Sequence, residues 1–133
     1  MKRIYFLTVV FIAIVFTAPT ASAQSAGLCC PYTGWSYIQP ITVTNNTGAA
    51  LPAQPTLFVI NTAAPIGAGK MQANGNDIRF VYNTCGNYLN YWIESGINTA
   101  STQIWVALPA IPSGATLNLY LYYGNASAPA GAS

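Results

Sequence analysis

The stretch TLNLYLYY, residues 116–123, alternates so that Leu117, Leu119 and Leu121 point to one side and Asn118, Tyr120 and Tyr122 to the other. A period of two belongs to a β-strand with one face on a core. Upstream lie further β-rich runs of similar length: WSYIQPITVT, TLFVIN, DIRFVY, YLNYWIE and TQIWVAL. NNTG, NTAAPIGAG, NTCGN, SGINTAS and PAIPSG stand between them, each rich in Gly, Pro, Asn or Ser, the residues that make turns. No segment holds a 3.6-residue apolar period over three turns, and a single helical turn is expected near Ala63–Met71. Short strands so spaced predict an all-β domain, an antiparallel β-sandwich with jelly-roll-like order, an open barrel being the second topology. TLFVI is apolar on both faces, as a central strand is. Trp105 in QIWVAL is opposite in phase to Ile104 and Val106, so either it or they face the core, and its area favours the core.

The chain opens with Lys2 and Arg3, an apolar run from Ile4 to Phe16, and Ala21-Ser22-Ala23, the small-x-small form of a signal-peptidase site. The run is shorter than the roughly 20 residues a bilayer requires, so a signal peptide over 1–23 is expected in place of an anchor. Leu28 before Cys29 does not fit a lipoprotein signal. The expected division is signal peptide 1–23, irregular lead-in 24–34, β-sandwich 35–125, and a small-residue tail or linker start 126–133. Export makes disulfides durable. A bridge between vicinal Cys29 and Cys30 would strain the backbone, so Cys85 is expected to pair with Cys29 or Cys30.

Without the signal, the charged residues are Lys70, Asp77, Arg79 and Glu94, and all lie within residues 69–95. Net charge is then zero. No basic patch exists for nucleic acid and no polybasic tract for anionic lipid, so neither nucleic acid nor membrane insertion is expected for the mature chain. A neutral surface favours association, by self-assembly or by docking on a larger body.

If DIRFVY and YLNYWIE form a hairpin turning at Cys85-Gly86, Ile78 faces Ile93, Phe80 faces Tyr91 and Tyr82 faces Leu89 on an apolar face. The other face pairs Asp77 with Glu94, Arg79 with Trp92 and Val81 with Asn90. Arg79 would then neutralise both carboxylates with its guanidinium on Trp92. A slip of two residues would keep the faces and move Arg79 away from Trp92. One reading of this cluster is a register lock at a sheet edge, since exposed ion pairs are usually structural. The sharper one is a small carbohydrate or peptide site made of Asp77, Arg79, Asn90, Trp92 and Glu94, an aromatic platform bordered by polar groups.

Chemistry has little to work with. The sequence has no histidine, which excludes Ser-His-Asp and Cys-His arrangements. Asp77 and Glu94 are the only carboxylates, and an arginine between them would keep both ionised and leave a glycosidase without its acid. Two carboxylates with Asn74 and Asn76 fall short of a calcium loop. No enzyme activity, cofactor or metal is expected.

The motifs WSYIQPITVTN, AGKMQANGNDIRF, LNYWIES, IWVALPAIPSG and LYLYYGN, in this order and spacing, resemble the bacterial domain-of-unknown-function family 2341 from about Trp35 to Asn125. The resemblance implies a secreted β-sandwich module, typically one part of a large exported or envelope protein, found beside lectin-like or adhesin domains. It thereby implies a cell-surface location and binding of a glycan or a surface protein, by association alone. This chain departs from the family pattern at Asn83-Thr84-Cys85-Gly86, where Asp is common, and at Ala107 and Ile38-Gln39, where a basic residue is common. Each departure removes charge and argues against an anionic ligand. The alternative function is structural: a spacer or assembly subunit that self-associates through strand edges.

Overall fold

A computed structural model describes residues 34–83 and 87–131. The expected signal peptide, nearly all of the expected lead-in, and Cys29, Cys30 and Cys85 with their expected disulfide lie outside the described residues. The elements are β1 (Tyr37–Thr44), β2 (Gln54–Ile60), α1 (Ala63–Gly67), β3 (Arg79–Tyr82), β4 (Asn87–Leu89), β5 (Tyr91–Ser95), β6 (Thr102–Leu108) and β7 (Thr116–Tyr123). The helical turn falls where the sequence placed it. Pro65 is tolerated in α1 because it lies in the first turn, where main-chain N–H groups have no helical partner.

TLNLYLYY is β7, and the wrap is built on it. It pairs antiparallel with β1 from Tyr37 opposite Tyr123 to Thr44 opposite Thr116, and with β3 on its other side. The strand orders are β1-β7-β3-β4 in one sheet and β2-β6-β5 in the other. The first two strands thus lie along the last two, β1 on β7 and β2 on β6, with β3 and β5 outside them. That nested order in a two-sheet antiparallel sandwich is jelly-roll-like, as expected.

Both inner faces follow the alternation. Leu117, Leu119 and Leu121 of β7 are buried, as are Phe58 and Ile60 of β2 and Ile104, Val106 and Leu108 of β6. Phe80 of β3 packs across the sandwich on Phe58, centroids 6.3 Å apart, and edge-on to Tyr91 of β5 at 5.4 Å. Two expectations need correction. β2 is an edge strand, not a central one, and its second apolar set is partly displayed, with Val59 51% exposed. In β6, Ile104 and Val106 take the core and Trp105 points outward, because a central strand in a thin sandwich fits the two branched aliphatic side chains better than one indole.

The expected hairpin is corrected too. β3 pairs with β4, Phe80 opposite Leu89, Val81 opposite Tyr88 and Tyr82 opposite Asn87, two residues off the register expected. β5 does not pair with β3 at all; it crosses to the other sheet and pairs with β6. Phe80 and Tyr91 do meet, but between layers and not across a ladder. The switch happens at Asn90, whose carbonyl accepts from Ala107 N–H at 2.9 Å and so already belongs to the second sheet. Leu89 and Tyr91 both point inward across it, since both sheets face one core.

Burial pushes the phenols of Tyr91 and Tyr123 above the usual tyrosine range; for Tyr91 the nearby Arg79 pulls the other way and does not overcome burial. The folded chain therefore holds these protons more tightly than the unfolded chain. Their contribution to stability should be level below about pH 10 and be lost as pH rises from there through the folded-state values. Urea midpoints measured across that range should show the fall, and Tyr123→Phe should shrink it; an unchanged slope would mean that these phenols do not couple to folding.

Candidate functional site

The five residues grouped by sequence divide between two places. Asp77, at the turn before β3, is 1% exposed. Its Oδ1 accepts from Gln72 N–H at 3.0 Å, and its Oδ2 from Gly124 N–H at 2.7 Å and Asn125 N–H at 3.3 Å. A buried carboxylate is tolerable when main-chain donors surround it in this way. Its own carbonyl accepts from the Trp35 indole at 2.6 Å.

Arg79 lies on the outer side of the four-stranded sheet, opposite Tyr122. Its guanidinium donates to three main-chain carbonyls, Asn76 at 2.7 Å, Ile78 at 2.6 Å and Pro129 at 2.7 Å. The ring beneath it is Trp35, 5.3 Å from Cζ to the centroid, not Trp92. Asp77 and Arg79 together fasten the segment after β7. Gln72 joins them, its side-chain amide donating to the carbonyls of Asn125 and Ala128. Residues 124–131 thus run as a strap across the end of the sandwich, with Ala128 buried.

Trp92 and Glu94 belong to the other sheet. In β5 the side chains of Trp92 and Glu94 point away from Tyr91 and the core, and Trp92 is 57% exposed, the most exposed large apolar residue described. Across the ladder stands Trp105, and beyond it Leu57 of β2, so that Leu57, Trp105 and Trp92 form one row across the outer face. A bulge between Ile93 and Ser95 inserts Glu94 into the edge strand. Bulges re-aim side chains; here the result is a 3.0 Å hydrogen bond from Trp105 Nε1–H to Glu94 Oε2. Ser95 Oγ donates to Gln103 Oε1 at 3.4 Å on the same side. The arrangement is an aromatic platform with a carboxylate and an amide along its border. Asn90, exposed at the sheet switch, is not in the row.

A groove of about 180 Å³ adjoins the platform at the free edge of β5. It is lined by Gly75, Asn76, Tyr91, Trp92, Ile93, Ala130 and Gly131. Gly75 has φ +69°, and a Cβ there would come within 2.9 Å of Ile97 Cδ1, so this wall requires glycine. Among the described residues no group of three or more His, Cys, Asp or Glu side chains could hold a metal.

Sequence reasoning therefore set Trp92 and Glu94 on an outward face, as the structure does, but gave them the wrong neighbours. Trp105 was missed as their partner. The available signal was its phase, opposite to that of Ile104 and Val106, which makes it outward once those two are taken as core.

Two substitutions separate the two places. Asp77→Asn should lower stability by about 1–3 kcal/mol, since its NH₂ confronts main-chain donors in place of an acceptor. Trp92→Ala should cost under about 1 kcal/mol, the scale of an exposed cross-strand pair. Chemical denaturation of both variants checks the contrast; equal losses would make Trp92 a structural residue.

Residues 74–133 match the model of a family described as Domain of unknown function (DUF2341), the family its motifs resemble. The matched segment holds β3 to β7 and the strap, and with them Asp77, Arg79, Trp92, Glu94 and Trp105. No curated protein and no solved structure matches the chain.

Proposed function

We propose that this protein is a non-catalytic glycan-binding module of the bacterial cell surface or exterior, delivered by its N-terminal signal, with the Trp92–Trp105 face as the binding surface. The observation that carries this is the outward exposure of Trp92 in register with Trp105, beside the Glu94 and Gln103 acceptors. A sugar ring offers an apolar face of C–H groups and a rim of hydroxyls. An aromatic surface with hydrogen-bonding groups along its border meets both needs.

The positions of the two carboxylates support a binding role over a catalytic one. Asp77 is enclosed by main-chain donors on one side of the molecule, and Glu94 is engaged by an indole on the other. Glycoside hydrolysis needs two carboxyl groups about the same bond.

Self-assembly through strand edges is the weaker reading. Pro40 interrupts edge strand β1 and Pro55 edge strand β2, β4 is three residues long, and β5 carries the bulge at Glu94. Each of these is a device that discourages strand addition.

A glycan-array screen of the protein, with light scattering on the same samples, tests the reading. Selective binding by a monomer should weaken about tenfold or more, roughly 1.4 kcal/mol, in Trp92→Ala and in Trp105→Ala. Concentration-dependent oligomers with no glycan retained would overturn it.

A further inference from the structure

The platform ends at the groove beside Trp92, and the chemistry of that groove narrows the ligand class. We infer that the groove receives the acetamido group of an N-acetylated sugar whose ring lies on Trp92. The inference rests on the platform reading above.

Size is the first constraint. At about 180 Å³ the groove is below the roughly 300–1,000 Å³ of pockets that enclose a whole small molecule. It suits one substituent projecting from a ligand held elsewhere, and Trp92, which lines the groove and also belongs to the platform, makes the two surfaces continuous.

The lining is the second. Gly75, Ala130, Gly131 and the flank of Trp92 offer small apolar surface for a methyl group. Asn76 offers an amide that makes no hydrogen bond to another described residue, whereas the Tyr91 hydroxyl in the same lining donates to the Ile78 carbonyl, so of these two the amide is the one left for a ligand. A planar group with a methyl at one end and an amide at the other uses both. A bare hydroxyl would leave the apolar part empty. A carboxylate would find no cation in the lining; Arg79, at the start of β3, lies outside it and directs its N–H groups to the carbonyls of Asn76, Ile78 and Pro129. Glu94 on the platform border adds a further penalty for anionic sugars.

Arg79 has a place in this scheme as a positioning residue. By holding the Pro129 carbonyl it fixes the strap one residue before Ala130, so the width of the groove depends on a side chain that touches no ligand.

The test compares triacetylchitotriose with cellotriose, which share the β-1,4 backbone and differ in acetamido against hydroxyl at C2, by titration calorimetry on the whole protein. The acetylated sugar should bind at least about tenfold more tightly, the scale of discrimination by one well-placed group. Ala130→Leu, at an exposed position, should fill the groove and abolish the preference. Asn76→Ala should reduce the preference without new bulk, and Arg79→Lys should reduce it with the charge retained. Trp92→Ala should remove both sugars. Equal affinity for the two sugars, both dependent on Trp92, overturns the groove assignment and leaves the platform standing. Binding of neither, with Trp92→Ala unchanged against every glycan on the array, overturns the platform itself.

Discussion

One buried carboxylate binds the loop before β3 to the chain after β7. Asp77 receives the N–H groups of Gln72, Gly124 and Asn125, so the loop entering β3 and the residues leaving β7 are tied at a single buried point. With Asp77 in place, Gln72 and Arg79 reach the carbonyls of Asn125, Ala128 and Pro129, and the strap is laid down. With the strap in place, Ala130 and Gly131 become a wall beside Trp92. Asp77 and Arg79 of the charged segment therefore organise the candidate site from beneath, while Trp92 and Glu94 of the same segment face outward on the other sheet.

The rest of the interior is held without charge. Asn45, buried in the turn after β1, donates to the carbonyls of Ala49, Ile111 and Pro112 and accepts from Thr47, closing the turn onto the approach to β7. Thr62 and Thr102 share a 2.6 Å hydroxyl contact, and through Gly96 and Asn98 they hold the β5–β6 loop against the start of α1. Among the described residues no buried side-chain nitrogen or oxygen is left without a partner. Amides and hydroxyls meet the main chain's needs at lower desolvation cost than ions would, which is how a chain with so few charges stays specific.

The strands, their inward faces and the sandwich were legible in the sequence because period-two alternation reports a face directly. The pairing of β3 was not, for a physical reason. Leu89, Asn90 and Tyr91 alternate without interruption through the point where the chain changes sheets, since an inward side chain in either layer enters the same core. A hydrophobic pattern records distance from the core and is silent on which layer supplies it. The site divided along the same line: Trp92 and Glu94 could be read as outward, whereas the Trp35 ring under Arg79 depends on residues 44 apart and on a strap with no periodicity to announce it.

The pairing of the first strand with the last has a mechanical meaning. Tyr37 lies opposite Tyr123, so the entrance to β1 and the exit from β7 are adjacent, and tension applied through the flanking residues would peel that ladder open one bond at a time instead of shearing it. The strap alters how such a load arrives. Pull from the C-terminal side meets the contacts at Pro129, Ala128 and Asn125 and the Asp77 carboxylate before it reaches Tyr123, so those contacts act as a strain relief for the strand pair behind them.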